Sequence, residues 1–191
     1  RILSGNINLE VQDFGSKTDT PLVMISGYGS QLIDWPKSFI NNLIKHKIRV
    51  ITFDNRDVGL SHKFSGKIIE DPKLIWRYSY SREKLPKEIK KPKIPYTLTN
   101  MAEDCINILN SLDIDKAHIL GTSMGGMIAQ LVAFNFPKRC KSLISVMSTS
   151  GNPNLPRPSK KVIEGLNRQP VSSNKKDVIE NNLITRKLWA S

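Results

Sequence analysis

Two rhythms of apolar and polar positions alternate along the chain. Ile7, Leu9 and Val11 stand between polar neighbours, which predicts an edge strand over 7–14. Pro21-Leu-Val-Met-Ile-Ser26 is an unbroken apolar run, the pattern of a strand covered on both faces, and Gly27-Tyr-Gly29 ends it. Over 36–46 the period lengthens: Phe39, Ile40, Leu43 and Ile44 share one face of a helix. Ile48-Arg-Val-Ile-Thr-Phe53 is a second buried strand. An irregular stretch over 55–95 follows, with a short helix expected from Trp76 to Tyr80. The spacing of Met101, Cys105, Ile108, Leu109 and Leu112 predicts a helix over 97–112, with Asn100 and Glu103 as its capping pair. Ala117-His-Ile-Leu120 reads as a strand, 124–136 as a helix ended by Pro137, and Lys141–Met147 as another strand.

Strands alternating with helices imply an α/β fold with a mostly parallel sheet flanked by helices. The texture changes at Gly151-Asn-Pro-Asn-Leu-Pro-Arg-Pro158, a stiff linker. Residues 159–190 then read as two polar, weakly amphipathic helices, the start of a separate subdomain. The expected organisation is a core over 1–152 and a second part over 153–191.

The bulk composition narrows the functional classes. With 191 residues, 39% hydrophobic and 24% charged, the chain suits one sizeable core, and it has no apolar run of the roughly 18 residues that a spanning helix needs. Arg1-Ile-Leu-Ser-Gly lacks both Met and a signal-peptide core, and reads as a trimmed or incomplete N-terminus. Cytoplasm is the default location, and secretion stays open. Cys105 and Cys140 have neither metal spacing nor redox spacing and are expected on buried faces, with a disulfide between them as the alternative. The net charge of +12 is densest over 84–95, which is either a patch for nucleic acid or anionic membrane or a solvated, proline-broken loop. No nucleic-acid motif accompanies these lysines, so the loop is the expectation and no nucleic acid is expected as a partner.

The residues that carry chemistry are Gly121-Thr-Ser123-Met-Gly125. A strand before them and a helix after them is the layout of a nucleophile elbow, in which a sharp turn holds a serine out in a strained conformation and only small neighbours avoid collision. A glycine-rich turn without chemistry is the alternative. Gly27-Tyr28-Gly29 ends an earlier parallel strand and should therefore lie beside Ser123, since sites in such sheets form at the strands' carboxyl ends. The backbone N–H groups of Tyr28 and Met124 are the natural pair for an oxyanion. A dinucleotide loop is excluded because Leu32 stands where a third glycine is needed.

Ser26-Gly-Tyr-Gly29, Asp34-Trp35, Asp54-Asn-Arg-Asp-Val-Gly-Leu-Ser61, Tyr96-Thr-Leu, Met101-Ala102 and the run from Gly121 to Gln130 resemble, in that order, the α/β-hydrolase superfamily, in particular its bacterial serine esterase and methylesterase branch. The resemblance covers about residues 5–155. It implies a Ser–His–Asp triad, an oxyanion hole at Tyr28 and Met124, and a helical lid beginning near residue 155. Ser26 departs from the family, which usually has a histidine there; that position is normally structural. Asp54, Arg56, Asp57, Gly59 and Ser61 form a second family signature, read as a turn held by charge-assisted hydrogen bonds. Trp35 is either a wall of the acyl pocket or a core aromatic.

A serine hydroxyl needs a histidine base and an acid to orient it, and in this fold both follow the serine. No histidine follows Ser123. His118 lies back along the same strand, roughly 16 Å away at the rise of a strand; His46 ends a helix; His62 follows a strand's carboxyl end. Glu164, Asp177 and Glu180 fall on the late helices. The chain is therefore expected to be a fragment, its acid and histidine lying beyond Ser191. The expected activity is hydrolysis of a small-molecule carboxylic ester through an acyl-enzyme on Ser123, with no metal and no organic cofactor. Hydrolysis of a C–C, amide or thioester bond is the alternative within enzymes, and a non-catalytic binding protein on the same fold is the alternative outside them. Dehalogenase and epoxide hydrolase chemistry would place an aspartate at position 123.

Overall fold

The computed structural model describes residues 1–65, 94–152, 154–156 and 159–189. The short helix expected at Trp76–Tyr80 and the basic run over 84–93 lie outside the described residues. Two compact units are present, Arg1–Gly151 and Asn152–Ser191.

The first unit begins with a hairpin, β1 (Ile2–Ser4) against β2 (Ile7–Leu9), turning at Gly5, whose φ of 60° suits a residue without Cβ. Then come β3 (Val11–Phe14), β4 (Thr20–Ile25), α1 (Lys37–Lys45), β5 (Ile48–Phe53), α2 (Leu98–Ser111), β6 (Ala117–Thr122), α3 (Met124–Asn135) and β7 (Cys140–Val146). Five strands form one sheet in the order β3-β5-β4-β6-β7, with β3 antiparallel and the rest parallel. The single strand expected over 7–14 is therefore two strands in different sheets. They part at Glu10, whose N–H bonds the Ser61 hydroxyl and whose carbonyl accepts from Asp54, so its backbone is spent on the loop after β5.

The alternation within β4 sorts the core into two layers. Val23 and Ile25 face α2 and α3, packing with Ile51, Phe53, Met101, Cys105, Ile108, Ile119 and Ile128. Leu22 and Met24 face α1, packing with Ile40, Val50 and Leu120. Each such side chain contributes about 1.5–3 kcal/mol on burial. Trp35 packs against this second layer and is a core aromatic. The N-cap of α2 is Thr97, whose hydroxyl accepts from Asn100 N–H while the Asn100 side chain accepts from Thr97 N–H. The expected pair of Asn100 and Glu103 is thus corrected: Asn100 stands three residues inside the helix, where it answers the cap.

Both thiols are free. Burial pushes Cys105 up to about 12, so its thiolate is absent at neutral pH. Cys140 is only half-buried, a correction to its expected place. Titration of the native protein with a thiol reagent near pH 8 is expected to modify Cys140 alone, and Cys105 only after unfolding in denaturant. Equal native rates would contradict this packing.

Among the described residues β7 is an edge strand that pairs with β6 only, and Leu143, Ile144 and Val146 are exposed along it, followed by Met147 at 79%. In the second unit, α4 (Lys160–Asn167) is capped by Ser159, and α5 (Lys175–Trp189) is preceded by Asn174, whose side chain accepts from Asp177 N–H and donates to its carboxylate. Among the described residues no helix is long and apolar enough to cross a membrane.

Candidate active site

The parallel register sets Ile25 level with both Gly121 and Phe53, so the chain leaves β4, β5 and β6 at one end of the sheet. Ser123 is the residue between β6 and α3. Its φ of 53° and ψ of −121° are far from any relaxed conformation of an L-residue, and its side chain is exposed. Backbone bonds fix the strain. Ser123 N–H donates to Val146 O at 3.0 Å, and its carbonyl accepts from Gly126 N–H and, at 2.7 Å, from the Ser148 hydroxyl.

The flanking glycines are required by close approach. A Cβ on Gly121 would collide with the carbonyl of Gly125, and one on Gly125 with the carbonyl of Ile25. The turn after β4 lies beside the serine, as expected from the sheet order. A Cβ on Gly27 would sit 3.2 Å from Ser123 Cβ and 3.8 Å from its Oγ. Tyr28 is therefore one residue from the serine's neighbour, and Met124 opens α3, where a first-turn N–H has no helical partner. Gly121, Ser123, Met124, Gly125 and Tyr28 thus come together at the carboxyl ends of β4 and β6.

The loop after β5 is a scaffold of hydrogen bonds. Asp54 accepts from Leu32 N–H at 2.7 Å and Leu60 N–H at 2.9 Å; Asn55 donates to Ser26 O, tying this loop to the turn before Gly27. Arg56 grips both oxygens of Asp104 on α2, at 2.6 and 2.8 Å, and Asp104, 2% exposed, also accepts from Ser4. Hydrogen bonding to Asp104 holds the Arg56 guanidinium above its usual range, against the opposing pull of burial. Neither Asp104 nor Ser148 was singled out in the sequence. Asp104 carried a signal, a carboxylate on the apolar face of α2 next to Cys105; Ser148 carried none.

A cavity of about 450 Å³ opens at this end of the sheet, lined by Tyr28 and Met124 and by Arg56, Asp57, Tyr96 and Met101 among others. The histidines have other partners. His118 Nδ1 lies 2.6 Å from Ser142 Oγ, His46 Nδ1 lies 2.8 Å from Asn42 O at the end of α1, and His62 packs edge-on against Phe64. Among the described residues none of them bonds Ser123. Nor is there, among those residues, a group of three or more His, Cys, Asp or Glu that could hold a metal ion.

Comparison with known proteins identifies the family and the fold. The family described as alpha/beta hydrolase fold matches residues 20–178. Rhodomycin D methylesterase DauP of Streptomyces sp. is 27% identical over 142 residues, 74% of this chain and 39% of that protein. The 2-hydroxy-6-oxononadienedioate/2-hydroxy-6-oxononatrienedioate hydrolase 1 of Pseudomonas putida is 37% identical over 76 residues, 38% of this chain and 27% of that protein. A hydrolase from Pseudomonas aeruginosa superposes with a TM-score of 0.62 at 18% identity, over 100% of this chain and 67% of that one, a likeness of fold. The chain thus spans about two fifths of the length of the methylesterases it matches. With the family matched over most of its residues and the same architecture in place, the chain belongs to the alpha/beta hydrolase fold family.

Proposed function

We propose that the protein is a serine hydrolase that cleaves carboxylic esters of small or medium apolar acids. The observation that carries this reading is the backbone of Ser123. A strained φ of 53° on an exposed serine, between a strand and a helix and walled by two glycines that admit no Cβ, is a cost of about 1–3 kcal/mol that relaxed alternatives would avoid. In the proposed reaction Ser123 Oγ attacks the ester carbonyl carbon and its proton passes to a histidine. The Tyr28 and Met124 N–H groups hold the oxyanion. The C–O bond breaks and the alcohol departs with the proton; water then attacks the acyl-enzyme and frees the acid and the serine. The histidine and its orienting acid are a pair that His46, His62 and His118 do not provide where they stand. Neither a metal nor an organic cofactor is needed for these steps. Residues 153–191 are read as the start of a helical lid, and the protein as cytoplasmic.

The test is a fluorophosphonate probe applied to the protein expressed from its complete reading frame. The expected result is one adduct, on Ser123 by peptide mass spectrometry, and none in Ser123→Ala. No adduct in the unaltered protein would overturn the nucleophile and favour a binding protein on this fold. The 37% identity to a hydrolase of an oxo-dienedioate supports a second reading, hydrolysis of a C–C bond on the same serine. Comparing p-nitrophenyl esters with a vinylogous diketone separates the two.

A further inference from the structure

The cavity beside Ser123 offers unequal polar chemistry to a ligand. Most of its wall is apolar, from Tyr28, Met101, Met124 and the ring of Tyr96. Among the described residues its polar groups are Arg56, Asp57, Thr97 and the hydroxyls of Tyr28 and Tyr96, and of these Asp57 and Tyr96 stand side by side as acceptors. The Asp57 carboxylate takes one hydrogen bond from Phe64 N–H at 2.7 Å and one from the Tyr96 hydroxyl at 2.6 Å. A carboxylate has about four lone-pair sites, and the described residues fill two of them. Tyr96 donates its only O–H to Asp57, and what its oxygen can still do is accept. Burial, helped by that hydrogen bond, pushes the Tyr96 hydroxyl well above its ordinary range, so the proton stays in place at any working pH.

Arg56 also lines the cavity, but its charge is matched. Two of its N–H groups meet both oxygens of Asp104, and its guanidinium lies over the rings of Tyr96 at 5.4 Å and Phe64 at 5.9 Å. The Arg56–Asp104 pair sums to zero, and among the described residues the Asp57 carboxylate is the uncompensated charge on the cavity wall. The chain's net charge of +12 acts at long range and would draw anions toward the surface. Salt screens that field over about 8 Å at physiological ionic strength, so at contact distance the local carboxylate decides.

We propose that this cavity selects substrates bearing a hydrogen-bond donor, a hydroxyl or an ammonium, on an apolar body and rejects those bearing a carboxylate, with Asp57 as the selecting residue. The inference rests on the reading of Ser123 as the reacting centre, since Tyr28 and Met124 connect the cavity to it. It sets this protein apart from an enzyme built for a dioate substrate.

The test needs no turnover. Phenylbutylammonium, phenylbutanol and phenylbutanoate share one apolar body and differ in charge and donors. Each is titrated by NMR shift changes at neutral pH and physiological ionic strength. The expected order is ammonium, then alcohol, then carboxylate, with the carboxylate about tenfold or more weaker than the ammonium. In Asp57→Asn that ratio collapses by about tenfold while the alcohol changes little; asparagine suits the φ of 64° at this position as well as aspartate does. In Tyr96→Phe the ratio persists, because the carboxylate remains. Carboxylate binding as tight as ammonium binding in the unaltered protein, or no binding of any probe, overturns the proposal whether or not a variant folds. The same titration on Ser123→Ala is expected to give the unaltered order. If that order holds while the fluorophosphonate leaves Ser123 unlabelled, the esterase reading fails and the recognition stands. If Ser123 is labelled while the order is reversed, the esterase reading stands and the recognition fails.

Discussion

Replacing Ser123 with alanine is expected to lower ester turnover by on the order of 10⁶ while leaving the fold intact. The first half follows from the chemistry. In the proposed mechanism no acyl-enzyme forms without Oγ, and the residual rate is what the proposed oxyanion N–H groups and substrate binding give, about 10³–10⁴ over water. The second half follows from the hydrogen bonds around the elbow. Among the described residues every bond that fixes position 123 uses its backbone: its N–H donates to Val146 O, and its C=O accepts from Gly126 N–H, Met127 N–H and Ser148 Oγ. Alanine keeps the same Cβ and bears the same strain at φ 53°, so the urea midpoint of Ser123→Ala should match the parent. A large loss of stability would mean that Oγ is structural, and a small loss of rate would mean that another group attacks. Steady-state kinetics and a urea melt on the one variant decide both.

The second large effect is steric. Gly125→Ala is expected to cost more than about 4 kcal/mol and to leave little folded protein. The added Cβ would overlap the carbonyl of Ile25 and lie 2.7 Å from that of Ser26. Both are backbone atoms at the end of β4, held between β5 and β6, and cannot move aside without breaking the ladder. Gly29→Ala is the control. Its Cβ meets nothing, and only the φ of 72° opposes it, so about 1–2 kcal/mol is expected. Chemical denaturation of the two variants should therefore differ several-fold in effect. Equal costs would mean that the elbow does not pack against β4 this closely.

How much of this was legible in the sequence depended on whether the cause was local. The apolar runs of β4, β5 and β6 read directly because strands buried on both faces need no polar partner. The elbow read because two glycines spaced about a serine meet a steric need of their own turn. The parting of β2 from β3 at Glu10 did not read: its cause is the hydroxyl of Ser61, fifty-one residues away. β1 was missed although Gly5-Asn6 is a turn signal, since three residues are too few to show a period. The Arg56–Asp104 pair and the Ser148 clasp join residues 48 and 25 apart, and only the fold brings them together. The cap of α2 was misplaced because Asn100 and Glu103 do bond each other, at 3.1 Å, but inside the helix rather than at its start.

The edge formed by β7 has a consequence for handling these 191 residues. A strand that among the described residues pairs on one side only, with Leu143, Ile144 and Val146 exposed along it, is a template for another chain. Neighbouring molecules can add to it strand by strand, so solubility should fall steeply with concentration. A lysine placed at Ile144, in the middle of that edge, should raise the concentration at which the polypeptide stays clear.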